Sequence, residues 1–284
     1  TSGDTGGDDY LANIGTLTVT GDVNVTGVGY LIAIAVNGNF GDIALNGGGT
    51  EVGLIETAGD LGADTTGSIT ITGGTTAGVT MLGVTIAEDD IGAITVTGDG
   101  TSGTSFVLNN AADTGIVATT GDVGAVTISG FDTITLTDGI ESTAADIGNL
   151  SFDANSATDD AGTFTSTAGM TAGGDTGTFA ATADTINIDG TIAITGTAGD
   201  ITLTGDADVD ADTTAASMGA YKVDGDADFA NNIGIAVTGA VTSFEVTGDA
   251  VFTSGANPSI DVGSIGNITI GGGLDMSASN STTI

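Results

Sequence analysis

Apolar and polar residues alternate through most of the chain in short runs that Gly and small polar residues interrupt, as in NIGTLTV from Asn13 and VTGDVNV from Val19. A period of two describes half-buried β-strands, because successive side chains of an extended chain point to opposite faces. No segment sustains a 3.6-residue apolar period with caps, so the pattern predicts strands and no helices. The longest apolar run, Tyr30 to Val36, has the length of a strand and falls far short of the roughly 20 residues of a membrane span.

Two patterns recur. The first is a small polar or acidic residue, then Ile or Val, then Gly, any residue and an alternating strand. It occurs as NIGTLTV from Asn13, DIGAITV from Asp90, DVGAVTI from Asp122, DIGNLSF from Asp146 and SIGNITI from Ser264. The second is a corner at which a strand ends in Gly with an adjacent small polar residue and then resumes: VTGDVNV from Val19, LTGDADV from Leu203, VDGDADF from Val223, VTGDAVF from Val246 and, more loosely, IGGGLDM from Ile270. Gly205, Gly225, Gly248 and Gly272 in these corners lie 20, 23 and 24 residues apart.

Short strands, glycine corners and a unit of 20–24 residues predict an all-β fold, a parallel β-solenoid (β-helix) in which no coil buries its own apolar face and stacking supplies the core. Residues 1–284 then form one domain of roughly a dozen coils, a rod about 60 Å long at the spacing of neighbouring strands. A β-sandwich, single or in tandem, is the alternative, since short strands separated by turns describe that class too. Residues 154–184 alternate weakly and read as an irregular excursion or as imperfect coils.

Composition narrows the chemistry sharply. Lys222 is the single basic residue against 37 acidic ones, the formal net charge is −36, and His, Cys, Trp and Arg are absent. Without His or Cys there is no ordinary zinc, thiol, serine–histidine, haem or iron–sulfur chemistry. Without Arg and with one Lys, phosphate clamping and nucleic-acid binding are excluded, because both draw their affinity from positive charge. Oxygen ligands remain, and they suit hard cations, Ca²⁺ above all. Hydrophobic residues at 39% set the chain apart from disordered acidic sequences.

The stretch GDADVDADTT from Gly205 puts Asp206, Asp208, Asp210 and Asp212 at every second position, on one face of an extended chain. Asp224, Asp226 and Asp228 repeat the row twenty residues later. With the corners Gly205 and Gly225 in successive coils, Asp206 lies over Asp226, Asp208 over Asp228 and Val209 over Phe229. Carboxylates about 5 Å apart repel by about 1 kcal/mol even in water. Ca²⁺ bridging through Asp206, Asp208, Asp226 and Asp228, with Asp210 and Asp224 as weaker candidates, would relieve that repulsion. A solvated acidic face screened by salt is the competing reading. Smaller acidic groups stand at Asp4, Asp8 and Asp9, at Glu88, Asp89 and Asp90, and at Asp159 and Asp160; none has EF-hand spacing.

Gly-rich stretches such as NGGGTEVG lack the Lys of a phosphate loop and read as turns. Carboxylate-based sugar hydrolysis occurs on solenoids, but three Tyr, no Trp and no Arg leave little to hold a sugar ring, and the chain is read as a non-enzyme. Sequons at Asn24, Asn149, Asn267 and Asn280 are potential glycosylation acceptors.

Absence of Cys, a single Lys, Thr/Gly/Ala/Asp-rich strands and recurrent TGD and IGxxT turns resemble the surface-layer and sheath proteins of bacteria and archaea and secreted β-solenoid adhesins. The resemblance covers nearly the whole chain, is one of composition and repeat style, and lacks the glycine-aspartate nonapeptides of calcium-dependent surface layers. It implies an extracellular, cell-surface structural protein that forms homopolymers as a layer, sheath or filament, with no transmembrane segment and anchorage to surface polysaccharide or lipid through another segment or protein. A repetitive stalk or ligand-binding module of an adhesin is the alternative it leaves.

Overall fold

The protein is described by a computed structural model, with strand backbone from Asn13 onward and side chains from Ser68 to Met276, apart from residues 73–89, 101–102, 109–114, 155–161, 230–233 and 253–258. Among the described residues there is no helix, and every strand pairing is parallel. The fold is a parallel β-solenoid. No helix among these residues is long and apolar enough to cross a membrane.

One column shows the construction. Leu17, Ile43, Ile69, Ile94, Val126, Leu150, Phe179, Ile201, Tyr221, Phe244 and Ile268 are register partners from each level to the next. The ten steps between them span about 48 Å at roughly 4.8 Å per neighbouring strand. From Ile69 to Phe244 these residues are buried, and the outward positions between them and the next inward residue carry Thr70, Thr95, Thr127, Ser151 and Thr202. That is the period of two converted into an inside and an outside.

A second face runs through Phe106, Ile134, Phe164, Ile186, Ala207, Ala227, Ala250 and Leu274. A third runs through Ile116, Ile140, Met170, Ile192, Thr213, Ile235 and Ile260. A narrow fourth column carries the Ile or Val of the first sequence pattern, Ile91, Val123 and Ile147, followed by Thr176. The faces close around one continuous apolar core. Large rings stack within it: Phe152 on Phe164 at 5.0 Å, Phe229 on Phe252 at 5.1 Å and Tyr221 on Phe244 at 5.7 Å. Burial with no hydrogen-bonding gain for a phenolate pushes the Tyr221 hydroxyl well above its ordinary value.

The 20–24-residue spacing read from the corners holds in the C-terminal coils, with 20 residues from Ile201 to Tyr221 and 24 from Phe244 to Ile268. Coils nearer the N-terminus are longer, 26 residues from Leu17 to Ile43 and 32 from Ile94 to Val126. The added length falls outside the paired strands and leaves their register untouched.

One corner changes length from a coil to its neighbour. Between the paired positions Thr182–Thr204 and Thr185–Asp206, one coil spends Ala183 and Asp184 where the next spends Gly205 alone. Gly205 makes that shorter turn at φ +134°, a conformation that only glycine adopts without strain. The weakly alternating stretch after residue 154 contains regular coils from Thr163 onward: Thr163–Ser166, Met170–Ala172 and Phe179–Ile188 all pair in register. Their inward positions include Ala172, Ala181 and Ala183, which carry little hydrophobic signal in sequence.

Candidate functional site at the aspartate corners

The aspartates divide into two structural kinds. Those at corners, one residue before a strand or before the narrow fourth column, accept a main-chain hydrogen bond from the following coil. Asp90 Oδ1 accepts the N–H of Asp122 at 2.7 Å, Asp122 that of Asp146 at 2.9 Å, Asp146 that of Asp175 at 2.7 Å and Asp175 that of Thr197 at 2.7 Å. The ladder then ends in hydroxyls, Thr197 Oγ1 lying 3.0 Å from Ser217 Oγ.

At the next corner the same role falls to Asn149, which accepts from Thr178 N at 2.9 Å, and to Asp200, which accepts from Ala220 N at 2.8 Å. On the second face Asp206 accepts from Asp226 N at 3.1 Å, Asp226 from Asp249 N at 2.7 Å and Asp249 from Gly273 N at 2.5 Å. Corner N–H groups would otherwise lack a strand partner, and the carboxylate of the coil below satisfies them.

This explains the glycine at several of these corners, where the residue before the N–H donor passes directly over the accepting oxygen. A Cβ at Gly174 would collide with Asp146 Oδ1, one at Gly196 with Asp175 Oδ1, one at Gly219 with Asp200 Oδ1 and one at Gly248 with Asp226 Oδ1. The same holds for Gly177 over Asn149 Oδ1. Gly174-Asp175 and Gly248-Asp249 therefore each yield to the carboxylate of the coil before and supply a carboxylate to the coil after.

Asp208 and Asp228 are of the other kind. They are direct register partners in mid-strand, as Val209 and Phe229 are, so the stacking expected from the twenty-residue shift is observed. Asp206 also stands under Asp226, through its hydrogen bond. Burial first, and then the neighbouring charges of Asp210, Asp228 and Asp189, hold the Asp208 carboxyl above the ordinary carboxylate range. Asp206, Asp208, Asp226 and Asp228, with Thr185, Asn187 and Asp249, line a concavity of about 420 Å³ on the second face.

The two weaker candidates do not line that concavity. Asp224 ends a first-face strand, pairs with Lys222 at 3.8 Å and accepts from Thr247 Oγ1 at 3.0 Å. Asp210 follows the strand and donates its N–H to Ile188 O at 2.8 Å. Among the described residues no three acidic side chains gather as a metal-holding group. Ca²⁺ takes six to eight oxygen ligands, of which the stacked Asp208 and Asp228 could supply two carboxylates. Asp4, Asp8, Asp9, Glu88, Asp89, Asp159 and Asp160 lie outside the described residues.

The sequence pointed to the acidic rows and their register, and it missed the main-chain role of Asp206, Asp212 and Asp226. The readable signal was Gly directly before Asp at successive corners.

Fold and site together define a parallel β-solenoid whose corners are tied by aspartate side chains. Comparison of the chain with models of protein families, with curated proteins and with solved structures finds no match.

Proposed function

We propose that the chain is an extracellular structural protein whose copies assemble into a surface layer, sheath or filament at the cell surface, with Ca²⁺ joining acidic faces of neighbouring copies. One observation carries the reading: the stacking rule that builds the rod is still open at its last described level. Ile268 and Leu274 stand at the ends of two columns whose preceding members are buried, and they are 39% and 48% exposed. A parallel strand edge of this kind recruits further strands unless it is blunted by Lys or Pro. The chain has one of each, and neither lies within the edge strand Ser259–Ile270.

The acidic second face supports the role given to Ca²⁺. Asp208 and Asp228 offer two carboxylates on one copy, an incomplete set that a second copy completes while neutralising charge that would keep the copies apart. The proposal assigns no catalysis to the chain. Attachment to surface polysaccharide or lipid is left to another segment or protein.

Sedimentation and electron microscopy at micromolar protein, in millimolar Ca²⁺ and in chelator, test the reading. Extended polymers that grow with Ca²⁺ are expected. A single monomeric species in both conditions would contradict it and favour the stalk or ligand-binding module of an adhesin.

A further inference from the structure

The outward side of the first face is built differently from the acidic second face. Two ranks of side chains run along it in unbroken register for six levels, from Thr70 and Thr72 through Thr95 and Thr97 to Thr202 and Thr204. Ten of those twelve positions are Thr or Ser, the exceptions being Ala180 and Asp153. On a chain of net charge −36 this strip carries one carboxylate. Beyond it the same ranks turn charged, at Lys222, Asp224 and Glu245. The third face shows no such array: its short strands expose a single rank, in which Glu141, Thr171, Ala193 and Thr214 follow one another.

Stacking fixes the spacing of the two ranks. Neighbouring strands set successive hydroxyls about 4.8 Å apart along the rod, and alternate residues of one strand set the ranks about 6.4–6.8 Å apart across it. Threonine holds its oxygen and methyl group with little rotational freedom, because its branched Cβ restricts the first side-chain torsion. Frozen water has a net of similar dimensions. Tetrahedral joining of O–H···O bonds of about 2.75 Å repeats the oxygens about 4.5 Å apart within a layer and about 7.3 Å apart across two layers. The hydroxyl net and the water net agree within about a tenth in both directions.

We propose that the first face binds the surface of ice, its Thr and Ser oxygens taking positions of the outermost water layer. The threonine methyl groups then lie between lattice oxygens, where they shed liquid water on contact. The scarcity of charge fits this partner, since a carboxylate set against a neutral lattice would lose hydration with nothing to replace it. The inference goes beyond the assembly proposed above and is independent of it, because one chain presents the whole array.

Thermal hysteresis, the gap between the melting and freezing temperatures of a single ice crystal, tests it. The chain is measured in chelator at fixed ionic strength, so that Ca²⁺-driven assembly does not enter. A gap with faceted crystal growth is expected for the wild-type chain. Thr95→Lys with Thr127→Lys puts two strongly hydrated ammonium groups into the array and should abolish the gap. The fold accepts Lys in this column already, at Lys222, and circular dichroism checks that it is kept. Thr171→Lys with Thr214→Lys makes the same charge change on the third face and should leave the gap intact.

A wild-type chain with no gap would overturn the proposal, as would a gap that the two double variants reduce equally or that the first-face variant retains. Binding to an insoluble neutral polysaccharide with ice growth unchanged would overturn it in favour of a glycan partner. Assembly is read separately, by sedimentation in Ca²⁺, so the failure of either proposal leaves the other standing.

Discussion

Asp226 and Asp228 are two residues apart on the second face, and they do opposite things. Asp226 sits at the corner, accepting the Asp249 N–H and donating its own N–H to Asp206. Asp228 sits in mid-strand directly over Asp208, where the strands already satisfy the main chain and stacked carboxylates add mutual repulsion. A corner leaves an N–H without a strand partner, and an anionic or amide oxygen is a good acceptor for it; the main chain in mid-strand needs no such acceptor. Position relative to the corner, rather than acidity, decides whether an aspartate ties the rod or strains it.

The largest effect comes from filling the space that the corner carboxylate needs. Gly248→Val places a side chain against Asp226 Oδ1 and the Gly225 carbonyl, and neither can withdraw without losing a coil-to-coil bond. A loss of about 2–3 kcal/mol is expected, in the range of overpacked core sites, read as a lower denaturant midpoint at unchanged slope. Asp226→Ala removes the acceptor and leaves the space. A loss of about 0.5–1.5 kcal/mol is expected, because the freed N–H is near solvent.

The mid-strand pair responds to ions instead. In chelator, Asp208→Asn with Asp228→Asn should raise the melting temperature by relieving repulsion, and it should shrink the further gain that Ca²⁺ gives the wild-type chain. Calorimetric melts at matched ionic strength check this, and equal Ca²⁺ responses in the two proteins would leave only a screened acidic face.

The smallest effect is in pH. Asp208 has its carboxyl raised in the fold by burial and by Asp210, Asp228 and Asp189, so its charged form destabilises the native state. That cost is fully present above the raised value and fades as pH falls through it toward the unfolded carboxylate value of about 3.9. Asp208→Asn should therefore gain less over wild type as pH is lowered through that window, a difference of a fraction of about 1 kcal/mol for a group so exposed to solvent.

Much of the fold was legible because the solenoid writes its geometry as periodicity. Alternation set inside against outside, and the spacing of Gly205 and Gly225 placed Asp208 under Asp228 and Val209 under Phe229, as the register has them. What sequence hid was whatever did not disturb the strands. Extra residues between the paired strands of the N-terminal coils blur the 20–24-residue repeat without moving a ladder, and alanine-lined coils such as Phe179–Ile188 pack fully while alternating weakly. The corner bonds were hidden for a different reason: they connect residues 20–32 apart, and only stacking shows that Gly248 is small for the sake of Asp226. Asn149, doing with a neutral amide what its neighbours do with a charge, shows that the acceptor oxygen is the required feature.

That distinction is tested most directly by thermal unfolding of four single variants, Asp226→Asn, Asp226→Ala, Asp208→Asn and Asp208→Ala, in chelator at low salt. At the corner, Asn should hold wild-type stability or exceed it, since it keeps the acceptor and sheds a charge, while Ala should fall below wild type. In mid-strand, Asn and Ala should both match or exceed wild type, because no hydrogen bond from the next coil depends on Asp208. Equal behaviour of Asp226→Ala and Asp208→Ala, or a corner Asn as damaging as a corner Ala, would contradict the division of the aspartates into ties and strains.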